Sequence, residues 1–159
     1  MTNTASLESP GHASRAIPAI FWGGFVVGVL DLTYVIVVYS PHHPIRIPQT
    51  IASGVLGVKS YQEGAASAVL GVFLHFVIAW SAATLYFIAS RELPFMIGRA
   101  IPAGMIFGAL VYGFMHLVVL PLSAAPKSHI PLPYAACEFV EHWFFVGLPI
   151  ALSVRKFTK

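Results

Sequence analysis

Charge is what this chain has least of. Only 9% of its 159 residues are Asp, Glu, Lys or Arg, where a soluble domain carries about a quarter. Nine basic and six acidic side chains cannot give a globule of this length a solvated surface. Hydrophobic residues make up 57%, so lipid must replace water over most of the exterior. The formal charge of +3 is then no nucleic-acid signal, because the basic residues sit at the ends of apolar runs, where a bilayer collects them. Cysteine is almost absent too. The lone Cys137 excludes an internal disulfide and paired-cysteine metal motifs, and reads as a small apolar residue packed at the start of the last helix. No HExxH, Walker or nucleophile-elbow pattern occurs.

What the chain does have is long apolar runs. Crossing a bilayer takes about 20 apolar residues in helical conformation. Four segments qualify, at about 17–39, 65–89, 100–122 and 135–154. The sequence therefore predicts an all-α integral membrane protein, a four-transmembrane-helix bundle. Residues 1–16 form a polar N-terminal tail, 17–154 a single membrane domain and 155–159 a basic C-terminal tail. The first run is too long for a signal-peptide core and is read as a retained span. Prolines punctuate the connections, Pro41 and Pro44 after the first run and Pro126, Pro131 and Pro133 before the last.

Arg15, Arg91, Arg99, Arg155, Lys156 and Lys159 fall on one side of this arrangement, and Arg46, Lys59 and Lys127 on the other. The excess of basic residues predicts that both termini are cytoplasmic. Within the first loop, residues 47–58 read as a short apolar helix lying on the outer leaflet, with a re-entrant segment as the alternative. Gly24-x-x-x-Gly28-x-Leu30 recurs as Gly104-x-x-x-Gly108-x-Leu110, which suggests two similar helical hairpins. Small residues four apart let helix backbones approach closely in lipid.

The functional signal lies in ionisable residues inside these runs: Asp31, His75, His116, Glu138, Glu141 and His142. An ionised carboxylate at mid-membrane costs about 2.5 kcal/mol or more, so each should face protein, water or a partner. At 1.5 Å per residue, Asp31 lies about 12 Å, His75 about 15 Å, His116 about 9 Å and His142 about 10 Å from the outer ends of their helices. The four come from different helices yet share one layer in the outer half. Glu138 and His142, four apart, share a helix face. Tyr34 and Tyr112 lie too deep for an interfacial belt and could donate hydrogen bonds to the layer.

Three readings stay open. His75, His116, His142 and Glu138 could ligate zinc or iron, with Glu141 as general base, or two of the histidines could hold haem b. Alternatively, His and Glu titrating in sequence would serve a small transporter or proton-coupled channel, oligomeric because four short helices enclose little space. In the third reading the layer is a structural hydrogen-bond network. His42 and His43 read as a solvated loop pair, and His12 and His129 as loop residues.

At these residues the chain resembles the YagU-like family of small bacterial inner-membrane proteins. The shared patterns are His75 with Tyr86 eleven residues on, Gly104-x-x-x-Gly108 followed by His116, His116-x-x-x-x-Pro121-Leu122, Glu138-x-x-x-His142, and the basic Arg155-Lys156 end. Asp31 has no match in that pattern. The resemblance implies a four-span protein of the bacterial inner membrane and supplies no activity.

Overall fold

The computed structural model describes residues 10–127 and 131–159, with side chains from Arg15 onward. The first residues of the N-terminal tail, the side chain of His12 and all of His129 lie outside the described residues. Every regular element among the described residues is helical. In chain order they are α1 (Pro10–Tyr39), α2 (Arg46–Leu56), a 3-10 turn (Gly57–Tyr61), α3 (Ala65–Glu92), α4 (Phe95–Gly98), α5 (Ala100–Leu122) and α6 (Leu132–Thr158). Four of these, α1, α3, α5 and α6, are long and apolar enough to cross a membrane. Their apolar side chains are largely exposed, Leu117 at 80% and Val69 at 69%, as they must be where lipid is the solvent. This is the architecture of a membrane protein.

The helices outrun the apolar segments. α1 begins at Pro10, α3 continues to Glu92, and α6 starts at Leu132 and ends at Thr158. Arg155 and Lys156 belong to the last turns of α6, where cations suit the helix dipole. Cys137, expected to be packed, is exposed on the first turns of α6. α2 does form in the first loop, and its backbone at Pro48 lies directly on Gly71 of α3, where any Cβ would collide with it. Gly57 and Gly64, both at φ +61°, make the turns that lead the chain from α2 into α3.

Across the bundle the spans stand in the order α3, α1, α6, α5, with α1 packed on both α3 and α6. Glycines set the spacing. Gly24 and Gly28 of α1 receive the rings of Trp80 and Phe76 from α3, while Gly104 and Gly108 of α5 meet the backbone of α6 at Gly147 and His142. The first turns of α1 and the last turns of α6 meet at one end of the bundle. Ser153 donates a hydrogen bond to the Ala19 carbonyl (2.9 Å), and the Arg15 guanidinium donates to that of Thr158 (3.5 Å). The buried core occupies the half nearest this end: Ala19, Ala83, Tyr86, Ala100, Phe107, Ile150, Ala151 and Val154.

Two spans contain π-helical turns, Met115–Val119 in α5 and His142–Gly147 in α6. Each is followed by a leucine-proline pair, Leu120-Pro121 and Leu148-Pro149. Proline offers no N–H and its ring crowds the carbonyl four residues back, here Leu117 and Phe145, both inside the widened turn. The turn opens because the α-helical register cannot be kept there. As a result His116 and His142 both sit in non-α turns.

Candidate functional site

Beyond the core, in the half of the bundle away from the termini, the spans part around a cavity of about 590 Å³. Its walls are apolar, with Val27 and Val35 from α1, Ile78 from α3, and Val111 and Leu120 from α5. Ile47 and Ile51 of α2 also line it. Against this background Asp31, His75, His116, Glu138 and His142 all face the same space. Asp31, His75, His116 and the Glu138–His142 segment, from four separate helices, thus line one cavity.

Each histidine faces a carboxylate. His75 Nε2 stands 3.6 Å from Asp31 Oδ2 and donates to the Gly28 carbonyl at 3.1 Å. His116 Nε2 stands 3.5 Å from Glu138 Oε2, while its Nδ1 lies 3.1 Å from the Tyr112 carbonyl. His142 Nδ1 is 2.8 Å from Glu141 Oε2 and 2.8 Å from the Glu138 carbonyl. One N–H cannot serve two acceptors well. The Glu138 carbonyl takes a well-aligned bond, so the Glu141 contact is a matter of proximity and charge only.

Glu141 is the residue with the least comfortable position. It is 4% exposed, and neither carboxylate oxygen has a hydrogen-bond donor among the described residues. Asp31 Oδ1 is in the same condition. Burying such groups without partners costs several kcal/mol if they are ionised, by order of magnitude. Asp31, Glu141 and His142 each present one ligand-type atom, and these atoms lie within 4.8 Å of one another. Ligands on opposite sides of a cation at about 2.1 Å stand about 4.2 Å apart, so small side-chain rotations would close this group around one ion.

The geometry therefore divides the six residues differently from their spacing in sequence. Asp31 and Glu141 join His142 in the tight group, while His116 and Glu138 form a neighbouring pair and His75 hydrogen-bonds beside Asp31. The tyrosines act by packing. Tyr34 stands edge-on to Phe145 (5.4 Å between ring centres), and the Tyr112 hydroxyl donates to the Ala135 carbonyl at 3.2 Å. The Tyr112 ring stacks on His116 (4.0 Å) and meets His142 edge-on (5.3 Å), fixing two imidazoles at once. His42 and His43 are exposed in the first loop, away from the cavity lining.

Sequence reasoning found every Asp, Glu and His that lines the cavity but not Tyr39 and Tyr134, and it gave Asp31 and Glu141 no ligand role, whereas the structure groups them with His142. No signal in the sequence shows that Glu141 of α6 meets Asp31 of α1, because that approach is set by how the two helices pack. Comparison with known protein families, curated proteins and solved structures found no significant match to this chain.

Proposed function

We propose that this chain is a multi-pass metalloprotein of the bacterial inner membrane, with a divalent cation held by Asp31, Glu141 and His142. The observation that carries the reading is a buried carboxylate, Glu141, and a half-buried one, Asp31, both with undonated oxygens beside an imidazole, all within 4.8 Å. Two carboxylates and one neutral imidazole would balance a dication, leaving a neutral centre in a medium that penalises net charge. With its Nδ1 proton aimed at the Glu138 carbonyl, His142 would ligate through Nε2 once the ring turns that nitrogen towards the two carboxylates. His75 would orient Asp31, and the His116–Glu138 pair beside the centre would hold a proton for acid–base work. Three protein ligands leave a coordination position open, as catalytic zinc and iron sites do. A donor set rich in carboxylate favours such an ion over haem.

Under this reading both termini are cytoplasmic, α2 lies in the outer leaflet against α3, and the two glycine-lined helix pairs are similar hairpins. Membership of the YagU-like family is part of the same proposal and rests on the His75, His116, Glu138 and His142 pattern. The test is elemental analysis of protein purified in mild detergent and loaded with Zn²⁺ or Fe²⁺. One ion per chain and no Soret band are expected. Asp31→Asn, Glu141→Gln and His142→Ala should each lose the ion, and His116→Ala should keep it. Full retention in the triple variant ends the idea.

A second reading has its own support, since all three histidines stand within 3.6 Å of a carboxylate. Such pairs pass protons, so the chain could be a proton-coupled transporter. That reading expects pH-dependent flux in liposomes with no bound metal.

A further inference from the structure

The cavity has an entrance, and its position indicates what enters. α3 and α5 touch where Tyr86 meets Phe107 edge-on, with ring centres 5.0 Å apart and both rings buried. Away from the termini they separate, and the cavity fills the space between Ile78 and Ala82 on one side and Val111 and Met115 on the other. The flanking side chains are apolar and exposed: Ile78, Leu110, Phe114 and Val118. At the far end the cavity is lined by Ile47 and Ile51 of α2, and the Tyr39 hydroxyl reaches the Tyr134 carbonyl beside it (3.4 Å). A water-soluble molecule entering between α3 and α5 would have to cross this apolar rim to reach the carboxylates. A molecule dissolved in the bilayer would meet the gap side-on.

We propose that the cavity takes a single-chain lipid amphiphile from the bilayer through the gap between α3 and α5. Its oxygen-bearing head, a carboxylic acid or an alcohol, reaches the centre at Asp31, Glu141 and His142. The tail lies along Ile78, Ala82, Val111 and Met115. The proposal rests on the metal reading for the head group, since an oxygen donor is what an open coordination position accepts. The volume of about 590 Å³ falls within the range of about 300–1,000 Å³ for ligand sites and accommodates one chain with a small head. Apolar walls with a few convergent polar groups match such a ligand end for end.

The test uses the full chain, metal-loaded, in phosphatidylcholine nanodiscs, with palmitic acid carrying a diazirine at mid-chain as the probe. After irradiation, adducts mapped by mass spectrometry should concentrate on Ile78, Ala82, Val111 and Met115 about tenfold over lipid-facing Phe73, Leu85 and Leu117. Ala82→Trp, and separately Met115→Trp from the opposite wall, should remove that excess while the metal content stays at the wild-type level. Stripping the metal with a chelator should lower cavity labelling about tenfold. Uniform labelling, or labelling that survives both tryptophan variants, overturns the lateral entry. Cavity labelling indifferent to a metal that is present overturns the head-group contact. A chain that carries no metal yet labels in the cavity overturns the metal centre and leaves the entry standing.

Discussion

The two halves of the bundle obey opposite rules. Near the termini, small residues bring the backbones together: Ala100, Ala103 and Gly104 of α5 lie against Gly147, Ala151 and Val154 of α6, and the polar groups there are satisfied. Tyr86, fully buried, donates to the Met96 carbonyl at 3.1 Å, and Ser90 to that of Phe87 at 2.7 Å. In the other half the helices carry π turns, the spans separate, and carboxylate oxygens are buried without donors. Lipid-solvated helices associate by close packing and a few hydrogen bonds, and the first half supplies both. The second half keeps a polar cluster whose carboxylates lack donors among the described residues. Close packing and the buried ionisable cluster are separated along the length of the bundle.

The largest effect should come from the boundary between the halves. A Cβ at Gly147 would overlap the Gly104 carbonyl, which is backbone and cannot step aside. Gly147→Leu should therefore cost about 3 kcal/mol or more, read as loss of the cooperative unfolding transition in a detergent titration. It should also cost the site, because the same turn carries His142. Glu141→Gln is the next largest and separates the halves. An amide in place of a buried, undonated carboxylate should raise the stability of metal-free protein by about 1–3 kcal/mol. The same change should lower zinc retention tenfold or more, since a ligand is lost. A variant that keeps the metal, or that unfolds more easily without it, would show that Glu141 is held by something other than a cation.

How far the sequence revealed this division follows from the kind of signal each half leaves. Four apolar runs separated by prolines announce four spans, because burial in lipid constrains composition directly. The glycines at 24, 28, 104 and 108 announced close packing, and all four make it. Gly71 and Gly147 were not legible, because neither has a second glycine four residues away to mark its face, and only the fold brings Pro48 and Gly104 against them. The site was visible as a list of six residues and not as an arrangement. Helix rotation decides which of them meet, and apolar spans with no polar face leave rotation unspecified. The π turn at His142–Gly147 adds a further offset between the two ends of α6 that α-helical spacing cannot anticipate.

Two smaller changes test whether the closed half is independent of the open one. Tyr86→Phe removes the donor to the buried Met96 carbonyl and should cost about 1 kcal/mol, measured as a lower denaturation midpoint. Metal content should not change, because the ring still packs on Phe107 and keeps α3 against α5 at that level. Ser153→Ala should cost least, about 0.6 kcal/mol, the typical worth of a hydrogen bond between membrane helices. The Ala19 carbonyl that loses its 2.9 Å partner belongs to a continuous helix and can keep its own backbone bond, so little is left unsatisfied. If either change alters zinc retention beyond error, the halves are coupled through α1 and α6, and the rigid-base account of the site fails.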